Sequence, residues 1–289
     1  MNILRLNFRF KMLVILLIGL FYYIPQPGLT ETKKKIHLNN TGQRIVALTS
    51  ISADLVNSIS NDSLVGIPGS SLFKNRKDFM NKIIISQGRN PPNLEKIIKL
   101  KPTLVIGAKG FHDKVLSKLE EFSIKTIATD IRNFSDLEEL SNVITKNSNI
   151  LKFSLKKKLP NCYNLKPIKK DSTIVLVSTK PILSPNSKSW SGNLLNRFKI
   201  NNLSAELEAK SSFRGYANLS SEWLISKNPE NLILISTPGS DLSKYKKLEY
   251  WNKLKAVKND NIYEFEYYGF INPGSLLSIN NACTKLQDI

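Results

Sequence analysis

A short pattern of a polar cap, a glutamate and a proline occurs twice in this chain of 289 residues. The first copy, NLEKIIKLKP, starts at Asn93 and carries Glu95, and the second, SSEWLISKNP, starts at Ser220 and carries Glu222. Asn and Ser favour helix N-caps, and the proline at the end of each copy stops a helix. An apolar run follows each proline, so each copy predicts a capped helix and then a buried strand. Two copies of one pattern predict that the chain has two structurally related halves.

Apolar runs and amphipathic stretches alternate on both sides of these copies. RIVALTS and SLVGIP predict strands on either side of a helix, SADLVNSISN, for which Ser52 is the predicted N-cap. Such alternation is typical of parallel strands with crossover helices. Because a single core seldom exceeds roughly 250 residues, the chain is long enough for two. The predicted fold class is α/β, with two lobes, each a mostly parallel sheet flanked by helices, joined by an interlobe helix.

The predicted organisation has four parts. Residues 1–29 form a signal peptide or an N-terminal anchor, because a basic start precedes the apolar run MLVILLIGLFYYI. A polar spacer leads to an N-terminal α/β lobe over 44–146. The connector, 147–171, contains two prolines and a short predicted helix, ILKFSLKKKL, and a C-terminal α/β lobe follows over 172–289. A poor cleavage site leaves both the cleaved and the uncleaved form open, and the periplasm is the expected location.

The charge and the cysteines exclude some classes of function. The formal net charge of +19 invites a nucleic-acid interpretation, but the lysines are scattered along the chain and form only short runs. No nucleic-acid partner is therefore expected. Cys162 and Cys283 form no CxxC pair, which argues against redox catalysis and structural zinc. A single disulfide and two unpaired buried thiols both remain open.

Several segments resemble one known family, the periplasmic binding proteins for ferric siderophores and cobalamin. The resemblance runs from about Arg44 to Asp288 through RIVALTSISADLVNSISNDSLVGIP, NPPNLEKIIKLKPTLVIGA, FSIKTIATD, LSSEWLISKNPENLILIS and LKAVKNDNIYEF. It implies a monomeric receptor with no cofactor of its own, which holds a metal chelate between two lobes. It also implies delivery of the chelate to an ABC permease and its ATPase. Pro160 departs from the family's long connecting helix, which puts the rigidity of the lobe arrangement in question.

The resemblance further implies that Glu95 and Glu222 dock onto arginines of the permease. The alternative is plain capping, because any glutamate in the first turn of a helix gains about 0.3–1 kcal/mol from the helix dipole. The matched positions of the two residues, one in each lobe, favour docking on a two-fold symmetric partner.

Ligand residues are expected just after the strands, because ligands of open parallel sheets sit beyond the carboxyl ends of the strands. Arg89 and Arg214 suit an anionic chelate, since the planar guanidinium fits carboxylate or phosphate oxygens. Aromatic residues in similar places would pack on a bulky chelate or a corrin face; they are Trp190, Tyr216 and Tyr268. For each arginine a surface side chain is the alternative, and for each aromatic residue a core or interlobe contact is the alternative. The wider set of loops comprises Thr49–Ser50, Ser70–Phe73, Lys109–His112, Asp130–Arg132, Lys180–Leu183 and Tyr267.

The chain lacks the ligands and motifs of two other classes. With two histidines, His37 and His112, a bare-metal site is not expected, and a hydrogen-bonded loop role is favoured for His112. No GxSxG, Walker or GxGxxG motif is present, so no catalytic residue is predicted and the chain is not expected to be an enzyme. The expected ligand is a ferric siderophore or related anionic chelate. Cobalamin or haem is the alternative within the class, and a membrane-tethered scaffold or sensor, or a hydrolase on the same fold, are the alternatives outside it.

Overall fold

The computed structural model describes residues 42–87, 90–165, 171–208, 214–237 and 242–289. The predicted signal peptide, 1–29, and Arg89 lie outside these residues. The described residues belong to one compact unit. Within the described part of the chain, no helix combines the length and the apolar character needed to span a membrane.

The N-terminal lobe contains a five-stranded parallel sheet in the order β3-β2-β1-β4-β5. Its strands and helices follow one another along the chain as β1 (Ile45–Ala47), α1 (Ser50–Ser60), β2 (Leu64–Gly69), β3 (Ile83–Gln87), α2 (Leu94–Lys99), β4 (Leu104–Ala108), α3 (Asp113–Glu121), β5 (Thr126–Thr129) and α4 (Phe134–Asn147). This alternation confirms the predicted α/β class. The predicted N-cap of α1 is wrong, because Thr49 caps the helix and Ser52 lies in its first turn, where its N–H donates to Thr49 Oγ1 over 3.2 Å.

Strand β1 shows why this sheet is covered on both faces. Successive side chains of a strand point to opposite faces. Ile45 and Ala47 therefore belong to one buried cluster, with α1 and α4, whereas Val46 and Leu48 belong to another, with α2 and α3. The result is a three-layer lobe, as near-continuous apolar strands require.

The connector contains two short helices, α5 (Leu155–Lys158) and α6 (Pro160–Tyr163). Pro160 does not interrupt a long helix. It is the first residue of α6, where proline is well tolerated because the missing N–H has no helical partner. Helix α4 has already ended at Asn147, and Asn149 has a left-handed backbone conformation (φ 54°).

The C-terminal lobe contains a four-stranded parallel sheet, in the order β12-β11-β6-β9, and a three-stranded antiparallel sheet, β10-β8-β7. Its elements are β6 (Ser172–Leu176), β7 (Ser178–Thr179), β8 (Ile182–Pro185), α7 (Trp190–Arg197), β9 (Asn201–Asn202), β10 (Tyr216–Leu219), α8 (Ser221–Lys227), β11 (Asn231–Ser236), α9 (Ser243–Lys246), α10 (Lys255–Lys258), β12 (Ile262–Glu266), α11 (Tyr267–Phe270) and α12 (Leu276–Leu286). The sequence pattern did not predict the antiparallel sheet.

The repeated pattern forms the same structure in both lobes. Asn93 caps α2 by accepting the N–H of Lys96 over 2.9 Å, and Ser220 caps α8 by accepting the N–H of Trp223 over 3.1 Å. Each helix is followed by a left-handed residue directly before the proline: Lys101 (φ 47°) in one copy and Asn228 (φ 44°) in the other. Strands β4 and β11 begin after these prolines, so each copy forms the predicted capped helix followed by a strand.

Candidate functional site

A cavity of about 480 Å³, here called the interlobe cavity, lies where the two lobes meet. From the N-terminal lobe it is lined by residues just after β2, and from the C-terminal lobe by residues of β11, β12 and α11. The described lining residues are Ser71, Leu72, Ser236, Thr237, Glu264, Glu266, Tyr267 and Tyr268. This position, beyond the carboxyl ends of parallel strands, is where ligands of such sheets bind.

The tyrosines of the interlobe cavity are positioned by a tight turn after β12. Gly269 has a φ of 91°, and a side chain there would collide with the backbone of Ser278 in α12. Gly274, with a φ of 65°, packs directly against Tyr268 and Leu72. The rings of Tyr267 and Tyr268 meet edge to face with their centroids 5.4 Å apart. Both glycines thus let α11 and α12 come together closely enough to bring the two rings to the cavity.

Tyr216 is a neighbour of Tyr267, one of the residues that line this cavity. Burial raises the pKa of its phenol to about 12, and the neighbouring Tyr267 adds to that shift. Three predicted residues, Tyr216, Tyr267 and Tyr268, therefore lie close together. Tyr216 remains neutral at physiological pH, so it offers a ring face and a polar hydroxyl rather than a charge.

Trp190 is part of the packing between the lobes. Its side chain is 3% exposed, its ring stacks on Phe134 with the centroids 5.1 Å apart, and its indole N–H donates to the carbonyl of Gly269 over 2.9 Å. This arrangement is the interlobe contact that the sequence analysis gives as the alternative to ligand binding for each aromatic residue. Through Gly269, Trp190 supports the turn that carries Tyr268 rather than lining the cavity.

The two arginines predicted to bind a ligand are not among the described residues that line the interlobe cavity. Arg89 lies outside the described residues, and Arg214 is an exposed turn residue before β10. The charged residues of the described wall are both acidic, namely Glu264 and Glu266. Two of the aromatic residues selected from the sequence, Tyr267 and Tyr268, line this cavity, beside carboxylates that the sequence reasoning missed.

The sequence reasoning missed four of the residues that line the interlobe cavity, although the sequence marks two of them as lying at the end of a strand. Ser236 and Thr237 end or follow the apolar run NLILIS, so the same strand-end rule selects them. Glu264 lies inside β12 and Glu266 ends it, but the glutamates alternate with the apolar residues of this strand, so no continuous apolar run marks its end. Their alternation with Tyr263 and Phe265 in IYEFE marks a strand with one polar face, but only the folded chain shows which cavity that face borders.

His112 is a structural residue. It is 6% exposed, and its Nδ1 accepts the N–H of Ala108 over 2.9 Å, so this nitrogen is not free to bind a metal. Burial lowers the pKa of the imidazole below 6.5, although the nearby Asp113 opposes the shift. This agrees with the hydrogen-bonded loop role favoured from the sequence. Among the residues that the structure describes, no cluster of three or more His, Cys, Asp or Glu side chains could hold a metal ion.

Glu95 and Glu222 are both exposed in the first turn of their helices. The backbone N–H of Glu222 and the hydroxyl of Ser220 donate hydrogen bonds to the Glu222 carboxylate. These bonds lower the pKa of this carboxyl group, so it is negatively charged at neutral pH. Each helix leads back to the start of the strand that follows it. The first turn of each helix therefore lies toward the carboxyl end of that strand, the end at which ligands of such sheets bind.

Each lobe contains a parallel sheet, and the interlobe cavity lies where the two lobes meet. The sequence profile of the periplasmic binding protein family matches residues 45–152 and 155–267, so the chain belongs to that family. Family membership confirms the predicted recognition and fold class, and the family consists of binding proteins rather than enzymes. No curated protein sequence matches the chain.

Solved structures show the same fold at low sequence identity. A possible iron-binding periplasmic solute-binding protein from Staphylococcus epidermidis is 23% identical, with a TM-score of 0.64, over 85% of this chain and 96% of that one. The periplasmic vitamin B12-binding protein of Vibrio cholerae is 19% identical, with a TM-score of 0.58, over 85% and 97%. The periplasmic haem-binding protein of Vibrio cholerae is 16% identical, with a TM-score of 0.63, over 84% and 98%.

Proposed function

We propose that this chain is the substrate-binding component of an ABC importer and that it captures a metal chelate similar to a ferric siderophore. The observation that carries this proposal is the interlobe cavity with Tyr267 and Tyr268 in its wall. Its volume of about 480 Å³ falls within the roughly 300–1,000 Å³ of small-molecule sites. Aromatic rings and hydroxyl groups suit a bulky ligand that presents both an apolar surface and oxygen atoms.

Delivery to a permease and its ATPase is the second part of the proposal. The exposed pair Glu95 and Glu222, one in each lobe at equivalent positions, supports it. Carboxylates that remain exposed and charged can form charge-assisted bonds with arginines of a two-fold symmetric partner. The similar structure from Staphylococcus epidermidis is a possible iron-binding, periplasmic solute-binding protein, and another similar structure is an ABC transporter substrate-binding protein from Listeria monocytogenes.

Export to the periplasm is the third part. The disulfide between Cys162 and Cys283 supports it, because disulfides persist in oxidising compartments and are rare in the cytosol. The basic and apolar pattern of residues 1–29 is consistent with the same route.

Titration of the purified protein with ferric hydroxamate and ferric catecholate chelates tests chelate binding, with intrinsic Trp and Tyr fluorescence as the readout. We expect quenching with micromolar affinity for at least one chelate, and a loss of about tenfold in Tyr268→Ala, because the ring loses its contact with the ligand. Tyr263→Ala is the matched control, since Tyr263 belongs to the same strand region but packs against the core.

Each alternative predicts a different result in this titration. Binding of cobalamin or haem, but of no ferric chelate, would identify the receptor as one for those ligands. Recovery of a cleaved ligand would indicate a hydrolase. If no chelate, corrin or haem binds more tightly than about millimolar, the weak end of specific affinity, the proposed function is wrong.

A further inference from the structure

Asp54, in α1, is the one buried carboxylate among the residues that the structure describes, with 2% of its surface exposed. It is not among the described residues that line the interlobe cavity. Each of its carboxylate oxygens has its own donor: Arg76 Nη1 donates to Oδ1, and the N–H of Leu276 donates to Oδ2 over 2.7 Å. Arg76 follows β2 in the N-terminal lobe and Leu276 begins α12 in the C-terminal lobe, so one side chain joins both lobes.

Arg76 is fixed to the part of the N-terminal lobe that lines the cavity. Its guanidinium carbon lies 4.4 Å from the ring centroid of Phe79, and this ring stacks on Phe73 with the centroids 4.1 Å apart. The backbone N–H of Arg76 also donates to the carbonyl of Phe73 over 3.0 Å. Phe73 directly follows Ser71 and Leu72, the two described wall residues of this lobe. A displacement of Arg76 would therefore displace this wall as well.

Leu276 follows the backbone segment that lies between the two walls. A β-carbon at Gly274, two residues earlier, would lie 2.7 Å from the ring of Tyr268 and 3.1 Å from a methyl group of Leu72. The backbone of Gly274 is thus packed against one wall residue of each lobe. Because the bond to Asp54 holds the chain at Leu276, a shift of the start of α12 would change the gap between the two wall residues.

The energetics of a buried ion pair favour a role in positioning over a role in stability alone. Removing two charges from water costs about as much free energy as their pairing returns, so such pairs are weak evidence for stability. The apolar core shared by the lobes is not directional, whereas hydrogen bonds to a carboxylate have preferred distances and angles. The core alone would tolerate several slightly shifted arrangements, and the bonds of Asp54 select one of them.

We infer that Asp54 is a positioning residue of the interlobe cavity. By holding Arg76 and Leu276 it fixes the gap between the two walls, represented by Leu72 and Tyr268, before a ligand arrives. A site with preformed walls loses less freedom on binding, so Asp54 raises affinity without touching the ligand. This effect on affinity rests on the proposed function, whereas the effect on the wall does not.

Asp54→Asn tests the inference, because asparagine has nearly the same size but carries no charge and offers one acceptor oxygen instead of two. With the ferric tris-hydroxamate or tris-catecholate chelate that binds the wild type, we expect this variant to lose about tenfold in affinity. Ile59→Val is the matched control, since it alters a buried position at the other end of α1. Its affinity should stay within about twofold of the wild type. Circular dichroism confirms that both variants are folded.

A double-mutant cycle separates positioning from a general loss of stability. If Asp54 acts by placing Tyr268, then Asp54→Asn should change the affinity less than about twofold in the Tyr268→Ala background. The effects of the two substitutions on the free energy of unfolding, measured in urea, should simply add. A loss of about tenfold in both backgrounds would show that Asp54 does not act through Tyr268.

A measurement without ligand keeps this inference distinct from the proposed function. Fluorine NMR of protein labelled with fluorotyrosine reports on the ring of Tyr268, and Tyr268→Phe assigns its resonance. We expect one narrow resonance in the wild type and in Ile59→Val, and a broadened or split resonance in Asp54→Asn, because the wall then adopts more than one position.

An unchanged Tyr268 resonance in Asp54→Asn would overturn the inference. A changed resonance with wild-type affinity would overturn the contribution of Asp54 to binding. If the wild type binds no chelate, corrin or haem, the proposed function fails, and the resonance alone then decides whether Asp54 positions the wall.

Discussion

The buried imidazole of His112 links the stability of the N-terminal lobe to pH. Its Nδ1 accepts the N–H of Ala108, at the end of β4, and burial lowers its pKa below 6.5. As the pH falls below that value, the unfolded chain takes up a proton that the folded protein resists. The lowered pKa therefore contributes stability above pH 6.5, and this contribution is lost toward acid pH.

We expect the free energy of unfolding of the wild type to fall more steeply below about pH 6.5 than that of His112→Asn. Asparagine keeps an acceptor within reach of the Ala108 N–H but does not titrate in this range. Urea unfolding at several pH values measures the difference. Parallel pH profiles for the two proteins would contradict the role assigned to His112.

Arg197 shows how a single residue ties elements of different parts of the chain together. Its guanidinium carbon lies 4.4 Å from the ring centroids of both Phe134 and Tyr163, and its Nε donates to the carbonyl of Cys162 over 2.7 Å. Helix α7 is thereby joined to α4 and to the connector helix α6. A surface arginine is the default interpretation from sequence, because nothing around position 197 indicates these three contacts.

At the scale of elements, α6 and α12 are joined by the disulfide between Cys162 and Cys283, both fully buried. The two residues are 121 positions apart, so the cross-link removes the entropy of a long loop from the unfolded chain. Side-chain bonds add to it: Asn161 Nδ2 donates to Thr284 Oγ1 over 2.7 Å. The connector is therefore fixed to the last helix even though it lacks a long helix of its own.

Cys162→Ala with Cys283→Ala should lower the free energy of unfolding by about 2–5 kcal/mol, because the unfolded state regains the loop entropy. Chemical denaturation, with and without reductant, measures this. Reductant should destabilise the wild type under conditions that allow partial unfolding and leave the double variant unchanged. Equal stability of the oxidised wild type and the variant would contradict the structural role of the bond.

At the scale of the whole molecule, the lobes share one core. A single cluster of buried apolar residues includes Ile45 and Leu137 from the N-terminal lobe and Val175 and Ile279 from the C-terminal lobe. The buried Asp54 of α1 accepts the N–H of Leu276, at the start of α12, over 2.7 Å and is also paired with Arg76. These contacts answer the question raised by Pro160, because they hold the lobes together without a long connecting helix.

A fixed lobe arrangement would keep Glu95 and Glu222 at a constant separation for docking. We expect Glu95→Ala with Glu222→Ala to reduce uptake of a bound ferric chelate through the cognate permease and ATPase by at least about tenfold, because each lost charge-assisted bond is worth about 1.5–3 kcal/mol. Chelate affinity in solution should not change. Uptake of radiolabelled iron and fluorescence titration measure the two quantities.

Glu121→Ala with Glu249→Ala provides the control for docking, since it removes one exposed glutamate from each lobe outside the repeated pattern. This control should import at the wild-type rate. Docking by the repeated pair would be excluded if both double variants transport equally well, and the glutamates would then serve only to stabilise the first turns of their helices.

The sequence by itself determined the alternation of strands and helices, the capped helices α2 and α8, and the matched positions of Glu95 and Glu222. These features depend on local periodicity, on capping residues and on proline, all of which can be read within about ten residues. The same locality explains the selection of Tyr216 and Tyr268, which lie at the edges of strands. The family resemblance drew on the order and spacing of these local features.

Tertiary structure alone decided which of the selected residues meet. It placed Trp190 in the packing between the lobes, joined Cys162 to Cys283 across 121 positions, and brought Glu264 and Glu266 to the interlobe cavity. The pattern of IYEFE shows that two glutamates share a face of a strand, but it carries no information about what that face borders. Contacts between distant segments depend on how sheets and helices pack, and the wall of the cavity follows from that packing.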